Sequence, residues 1–289
     1  VEGAVVTTAG GQAAGPAPGT LHVVSTPIGN LGDLSPRAVE VLRSVAVILA
    51  EDTRHTRILC DRFDIRTPLQ SHHEHNEASG TPRLVARLLA GESLALVSDA
   101  GTPLLSDPGS RLVRAAIDAG APVSPVPGPS ALLAALVGAG LGADRFTFFG
   151  FLPRKGADRA RAISDIVACP HVAVLYEAAN RTADTLAALA AAGASSRATV
   201  VARELTKQHE EFRRGTAAEL ASYYGEAPPR GEVVLVLEGA TVVAPDEAAL
   251  RERAAAMRAA GASARDIQRV LMETAHAPRN LAYRLAHEP

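Results

Sequence analysis

The chain has 289 residues, with 29 basic against 31 acidic residues (formal net charge −2), 47% hydrophobic and 3% aromatic residues, and no Trp. These values exclude a wholly disordered chain, a protein that coats nucleic acid by bulk charge, and an aromatic base-stacking platform. No apolar run nears the roughly 18 residues of a membrane span. Two cysteines, Cys60 and Cys169, are too few for a disulfide framework, which fits a reducing cytoplasm.

Residues 1–20 are small, Gly/Pro-rich and aperiodic, which predicts a disordered tail without the basic and apolar regions of a signal peptide. From Leu21 the pattern alternates between strand and helix. LHVVST (21–26) predicts a buried strand ending in a Pro-Ile-Gly-Asn turn. Ser35-Pro36 predicts an N-cap and first helical residue, with the helix running to about Ser44. VAVILA (45–50) predicts the next strand, with Glu51-Asp52-Thr53-Arg54 at its end. Residues 81–91 predict a helix closed by Gly91, and SLALVSDAGTP (93–103) a strand entering a Gly/Pro turn. Asp107-Pro108 reads as the cap of a further helix that Gly120 ends. This rhythm predicts an α/β fold with a mostly parallel sheet.

A Pro-rich run before Ser130 turns abruptly helical, and the domain junction is placed there, between residues 21–126 and 127–241. A second series follows, with strands predicted at 146–151, 171–177, 198–206 and 232–239 and helices from about 157, over 180–193 and around 216–224. Three short helical patterns fill 246–289, with Ser263 and Asp266 as a capping-box-like start.

Two turns follow strands: Pro27, Ile28, Gly29 and Asn30, and Ser98, Asp99, Ala100, Gly101, Thr102 and Pro103. Ligands of open α/β sheets bind outside the carboxyl ends of strands, where glycine lets backbone N–H groups approach closely. Neither turn matches a P-loop or a clean dinucleotide fingerprint. Only one of the adjacent carboxylates Glu51 and Asp52 can face a shared site; the other is expected to cap the following helix. His72-His73-Glu74-His75 lacks zinc-like spacing and reads as a polar loop, so no metal is expected. Four basic residues (Arg154, Lys155, Arg159, Arg161) face Asp158 alone over 154–161, a net +3. Residues 251–289 carry seven arginines against four acids, also +3, in a helix-turn-helix-like segment. Lysine occurs only at 155 and 207.

VSTPIGNLGD, AEDTRHT, HEHNE, LVSDAGTPLLSDPG, VPGPSA, FFGFLPRK, YEAANR and ARELTK occur in this order over roughly residues 21–240. Together they resemble the ribosomal RNA small-subunit methyltransferase I group of the tetrapyrrole methylase family. Pro278 to Arg284 is similar to that group's C-terminal helical segment. The stretch Ala178-Ala179-Asn180-Arg181 departs from the Ser or Thr, and Pro or His, more common in the group, while Glu177 and Arg181 match.

The resemblance implies a two-domain, class III methyltransferase fold with S-adenosylmethionine as donor. It implies 2′-O-methylation of a decoding-centre cytidine in 16S rRNA of the small ribosomal subunit, by a cytoplasmic homodimer. It places cofactor contacts at the two turns, at Ser130 and Ala131, and at Tyr176 and Ala202. A ribose hydroxyl needs help to lose its proton. Lys155, Lys207, Glu177 and Asp52 are the catalytic candidates, with Glu51 and Glu204 behind them, because a desolvated lysine can be neutral and an arginine cannot. Arg54, Arg154, Lys155, Arg279 and Arg284 are candidate RNA contacts. Two other readings stay open: methylation of a tetrapyrrole or protein acceptor on the same fold, and a nucleic-acid-binding regulator.

Overall fold

The computed structural model describes residues 17–241, 246–275 and 277–288; most of the tail expected over 1–20 lies outside them. The chain divides into two compact units, residues 1–239 and 240–289.

In the first unit, short aliphatic runs form β1 (Leu21–Val24), β2 (Val47–Ala50) and β4 (Leu94–Leu96). With β3 (Leu69–Ser71) and β5 (Val123–Val126) they make a parallel sheet of order β3-β2-β4-β1-β5. The two outer strands are absent from the predicted elements. β3 has three residues, and β5 contains Pro125, which an edge strand tolerates.

Alternation along the strands feeds two apolar layers. Ile48 and Ala50 pack with α1 (Pro36–Ser44) and α2 (Thr53–Arg62), whereas Val47 and Leu49 pack with α3 (Glu74–Leu89) and α4 (Ser110–Asp118). Ser35 caps α1, its hydroxyl accepting from Ala38 N–H at 3.1 Å, as predicted.

Two boundaries differ from prediction. α3 starts at Glu74, with the Asn76 carbonyl oxygen accepting from His73 N–H at 2.9 Å. The His72–His75 stretch is therefore a helix entry rather than a loop; Pro82, which reads as a first-turn proline, sits inside the helix. α4 is entered through Gly109 at φ 117°, not through Asp107. A Cβ at Gly109 would fall 2.5 Å from Leu96, so the turn takes only glycine.

The second sheet contains β6 (Phe146–Phe151), β7 (Val172–Ala178), β8 (Ala198–Arg203), β9 (Glu211–Thr216) and β10 (Glu232–Leu237), ordered β6-β7-β10-β8-β9. Only β6 and β7 pair in parallel; the other three pairings are antiparallel. The mostly parallel sheet expected from the first series is the first sheet, and the second is mostly antiparallel. β9 (EFRRGT) is too polar to have been predicted and is held by its hairpin with β8. Val234 and Val236 pack under α5 (Ala131–Ala139). Val233, Leu235 and Leu237 pack under α6 (Gly156–Ala168), α7 (Thr182–Leu189) and α8 (Ala217–Glu226).

The second unit is three helices, α9 (Glu247–Ala259), α10 (Ala264–Ala275) and α11 (Arg279–His287), around Leu250, Ile267, Leu271 and Leu285. Ser263 accepts from Asp266 N–H at 3.2 Å, the predicted start of α10. Much of this unit's positive charge is spent internally. Arg251 pairs with Glu247 and Glu288, Arg284 with Glu247, and Arg269 with Asp266.

Gly138 of α5 faces Phe212 of β9, where a Cβ would fall 2.3 Å from the ring. Gly138→Ala is expected to lower stability to urea by about 1–3 kcal/mol through overpacking. Combined with Phe212→Ala, it should cost less than the sum of the two single changes. Strict additivity in a double-mutant cycle would refute this contact.

Candidate active site

β1 and β4 are neighbours, yet the chain leaving β1 covers one face of the sheet with α1 and the chain leaving β4 covers the other with α4. Their connections therefore part at the carboxyl edge and leave a crevice. Two backbone bonds tie the loops together there: Thr26 N–H donates to Gly101 at 2.8 Å, and Gly101 N–H to Thr26 at 3.0 Å. Thr26 Oγ1 donates to the Ser98 carbonyl and Thr102 Oγ1 to the Pro129 carbonyl, both at 3.1 Å. Gly101 has φ +85°, and a Cβ on it would press on Ile28 at 3.2 Å.

The crevice holds a cavity of about 340 Å³ with apolar walls from Ile28, Leu105, Ala131, Val233 and Val234. Of the expected cofactor contacts, Ile28, Asp99, Ala100, Gly101, Thr102, Ala131 and Tyr176 line it. Pro27 and Ser98 instead line a second cavity of about 250 Å³, which shares Asp99 with the first. Gly29, Asn30, Pro103, Ser130 and Ala202 line neither. Gly29 and Asn30 are exposed, with Asn30 accepting from Gly32 N–H at 3.0 Å; Ser130 caps α5, and Pro103 and Ala202 are buried.

Four carboxylate residues line the first cavity, Asp99, Asp107, Glu177 and Glu232, and Glu51 lies near Asp99 and Asp107 without lining either cavity. Asp99 lines both cavities and accepts from the Asp52 N–H at 3.0 Å. Asp107 lines the first cavity; burial, with the Glu51 carboxylate nearby, pushes its pKa up to about 6. Burial and the Asp99 charge also raise Glu51. Sequence reasoning missed Asp107 because Asp-Pro before a helical run looks like a cap. The signal that could have found it is its place in the turn after a strand.

The four catalytic candidates are not brought together. Asp52 N-caps α2 and grips Arg54 at 2.6 Å; the Arg54 hydrogen bonds hold its carboxyl far below the usual range. This is the capping role foreseen for one of the pair; Glu51 lines neither cavity, though its charge acts on Asp107. Glu177 is buried in the wall of the first cavity, accepting from Thr185 Oγ1 at 2.6 Å and Ala178 N–H at 2.9 Å and pairing with Arg181 at 3.2 Å. Lys207 lies across Gly29, where a Cβ would meet its side chain at 2.4 Å. Its ammonium pairs with Glu204 at 2.9 Å and Glu232 at 3.0 Å. Burial opposes its charge, but the two carboxylates outweigh it and raise its pKa, which keeps Lys207 protonated in this arrangement. Lys155 is exposed at the N-terminus of α6.

Arg154 is exposed beside Lys155, and Arg279 is exposed at the start of α11. Arg54 and Arg284 are tied to Asp52 and Glu247. His72 is buried, and burial lowers its pKa. Among the described residues, no group of three or more His, Cys, Asp or Glu side chains is set to hold a metal ion, and no helix is long and apolar enough to cross a membrane.

The family profile described as Tetrapyrrole (Corrin/Porphyrin) Methylases matches residues 20–221. The ribosomal RNA small subunit methyltransferase I of Xylella fastidiosa strain Temecula1 is 54% identical over 225 residues, covering 77% of this chain and 82% of that one. Its counterpart from a Synechocystis species is 45% identical over 276 residues, covering 93% and 98%. The fold also matches uroporphyrin-III C-methyl transferase from Thermus thermophilus complexed with S-adenyl homocysteine, with a TM-score of 0.57, 18% identity, and coverage of 76% of this chain and 97% of that one. The chain therefore belongs to the tetrapyrrole methylase family, within its ribosomal RNA small subunit methyltransferase I group.

Proposed function

We propose that the chain methylates small-subunit ribosomal RNA with S-adenosylmethionine, and that the acceptor is the 2′-hydroxyl of a decoding-centre cytidine in 16S rRNA. The reading rests on the carboxylate-rimmed cavity at the strand switch point, together with membership of the group. The cavity's chemistry suits such a donor. Apolar walls accept an adenine and a methylene chain, and Asp99 and Asp107, with the Glu51 charge nearby, favour a cationic ligand over a neutral one. Ile28, Asp99 to Thr102, Ala131 and Tyr176 would hold the donor, which supplies an electrophilic methyl carbon when bound. The cytoplasmic homodimer and the boundary near residues 126–127 belong to the same reading; light scattering at micromolar concentration tests the dimer.

The chain's own part is to align the hydroxyl and remove its proton. Asp107 is the base in this proposal. It lines the cavity and, with a pKa raised to about 6, is ionised at neutral pH yet basic enough to accept a proton. Protonated Lys207 holds the first turn against Glu204 and Glu232 and so positions the donor's pocket.

Incubation with labelled S-adenosylmethionine and small subunits lacking the modification should place label in 16S rRNA at one cytidine ribose. No label in RNA, with label in a tetrapyrrole or protein acceptor, would transfer the proposal to the alternative reading.

Asp107→Asn should lower the single-turnover rate by about 10²- to 10⁴-fold. In the unchanged enzyme the rate should fall tenfold per unit below about pH 6; the variant should lose that limb. A raised carboxyl pKa means the folded state binds the extra proton, so this group disfavours folding above pH 6. The thermal midpoint of Asp107→Asn should accordingly rise at pH 8 and change little at pH 4. A variant keeping both the rate and the acid limb removes Asp107 as the base.

Lys207→Gln should weaken donor binding several-fold, seen by calorimetry, with the pH profile of the single-turnover rate unmoved. A lost basic or acidic limb instead would restore Lys207 as a proton carrier.

A further inference from the structure

The second cavity is not used by the donor site, yet it opens beside it. Its walls are aliphatic on opposite sides, with Pro27 and Leu31 from the loop after β1 and Ile58 and Leu59 from α2. Leu31 and Ile58 are 37% and 62% exposed and flank the opening together. His55 and Thr56 supply polar edge groups, and Asp99 closes the end shared with the donor cavity. Asp99 is held in place by the Asp52 N–H at 3.0 Å.

The surface around this opening is basic. Arg54, Arg57 and Arg62 are exposed on α2, spaced at helical intervals on the side that carries Ile58, with Asp61 the one exposed acid among them. Asp52 neutralises Arg54 in part, whereas Arg57 makes no ion pair among the described residues. Of these α2 residues, only Arg54 is among the RNA contacts expected from the sequence.

Resting on the function proposed above, we infer that this cavity is the acceptor subsite. A single unpaired nucleoside enters between Leu31 and Ile58, its ribose lies at Asp99, and the flanking phosphates run along Arg54, Arg57 and Arg62. A volume of about 250 Å³ suits one base and not a duplex. Sequence-specific RNA recognition takes such splayed bases, with apolar walls on the ring faces and polar groups on the edge. The shared Asp99 wall gives the geometry a direction, since a ligand seated by its base here presents its sugar to the donor cavity.

Ile58→Asp and Arg57→Gln in the full chain test the inference, because both residues are exposed and neither lines the donor cavity. Ile58→Asp should lower kcat/KM for small-subunit rRNA at least tenfold, with affinity for S-adenosylmethionine unchanged and with Ile58→Leu close to wild type. Arg57→Gln should weaken rRNA binding and reduce the slope of log affinity against log salt by about 0.7 to 1. Wild-type methylation with both variants unchanged in KM and salt slope overturns the subsite alone. A wild-type chain that binds the donor and transfers nothing to rRNA overturns the functional reading, and the subsite with it.

Discussion

The reciprocal backbone bonds between Thr26 and Gly101 hold the site together. Parallel strands followed by helices on opposite faces must leave a gap between their connections, and a gap lined by loose loops would have no defined shape. The two bonds close the loops into one frame. Thr26 Oγ1 and Thr102 Oγ1 extend that frame to Ser98 and to Pro129 just before α5. The apolar walls follow from it, because Ile28 sits against Gly101 and belongs to the same packed layer as α5, Val234 and Val236. One frame thus couples the turns of the first sheet to the surface of the second.

Much of this architecture was legible in the chain. β1, β2 and β4 are aliphatic runs bounded by Gly, Pro and Ser, and a buried parallel sheet demands that pattern. The two site turns could be found because they follow those strands. What escaped had weaker local signals. β9 carries Arg213, Arg214 and Gly215 and is a strand only because β8 pairs with it, a tertiary cause that no local window contains. β5 hides behind Pro125. The ionisation of Asp107 and Lys207 was not legible either, because it depends on neighbours distant in sequence. Glu51 approaches Asp107 from another loop, and Glu232 reaches Lys207 from 25 residues away.

Charge is segregated rather than absent. The net −2 of the chain averages a carboxylate-rimmed cavity with a basic α2 beside it. The C-terminal arginines, which count as a large positive patch in sequence, are partly cancelled by Glu247, Glu288 and Asp266. The composition excluded bulk electrostatic coating of nucleic acid, and that exclusion stands. A shaped RNA target asks only for a local cationic surface next to a cavity of the right size.

Backbone strain marks the same place from an independent direction. Among the described residues, five non-glycine residues have positive φ: Asp64, Leu104, Ser106, Glu204 and Thr206. Four of them lie in the two loops that carry Asp107 and Lys207. Each such conformation costs of order 1–3 kcal/mol and persists only where surrounding contacts over-determine it. At Glu204 and Thr206 those contacts are visible: Lys207 binds the Glu204 carboxylate, and the Glu210 side chain accepts from Thr206 N–H at 2.7 Å. The strained turn brings Glu204 close against Gly231, where any Cβ would meet its carboxylate at 2.1 Å, and Gly231 is itself part of the cavity wall. A relaxed turn at 204–207 would withdraw Lys207 from Gly29 and open the first loop. The strain is therefore the local cost of holding two loops, far apart in the chain, against a single cavity.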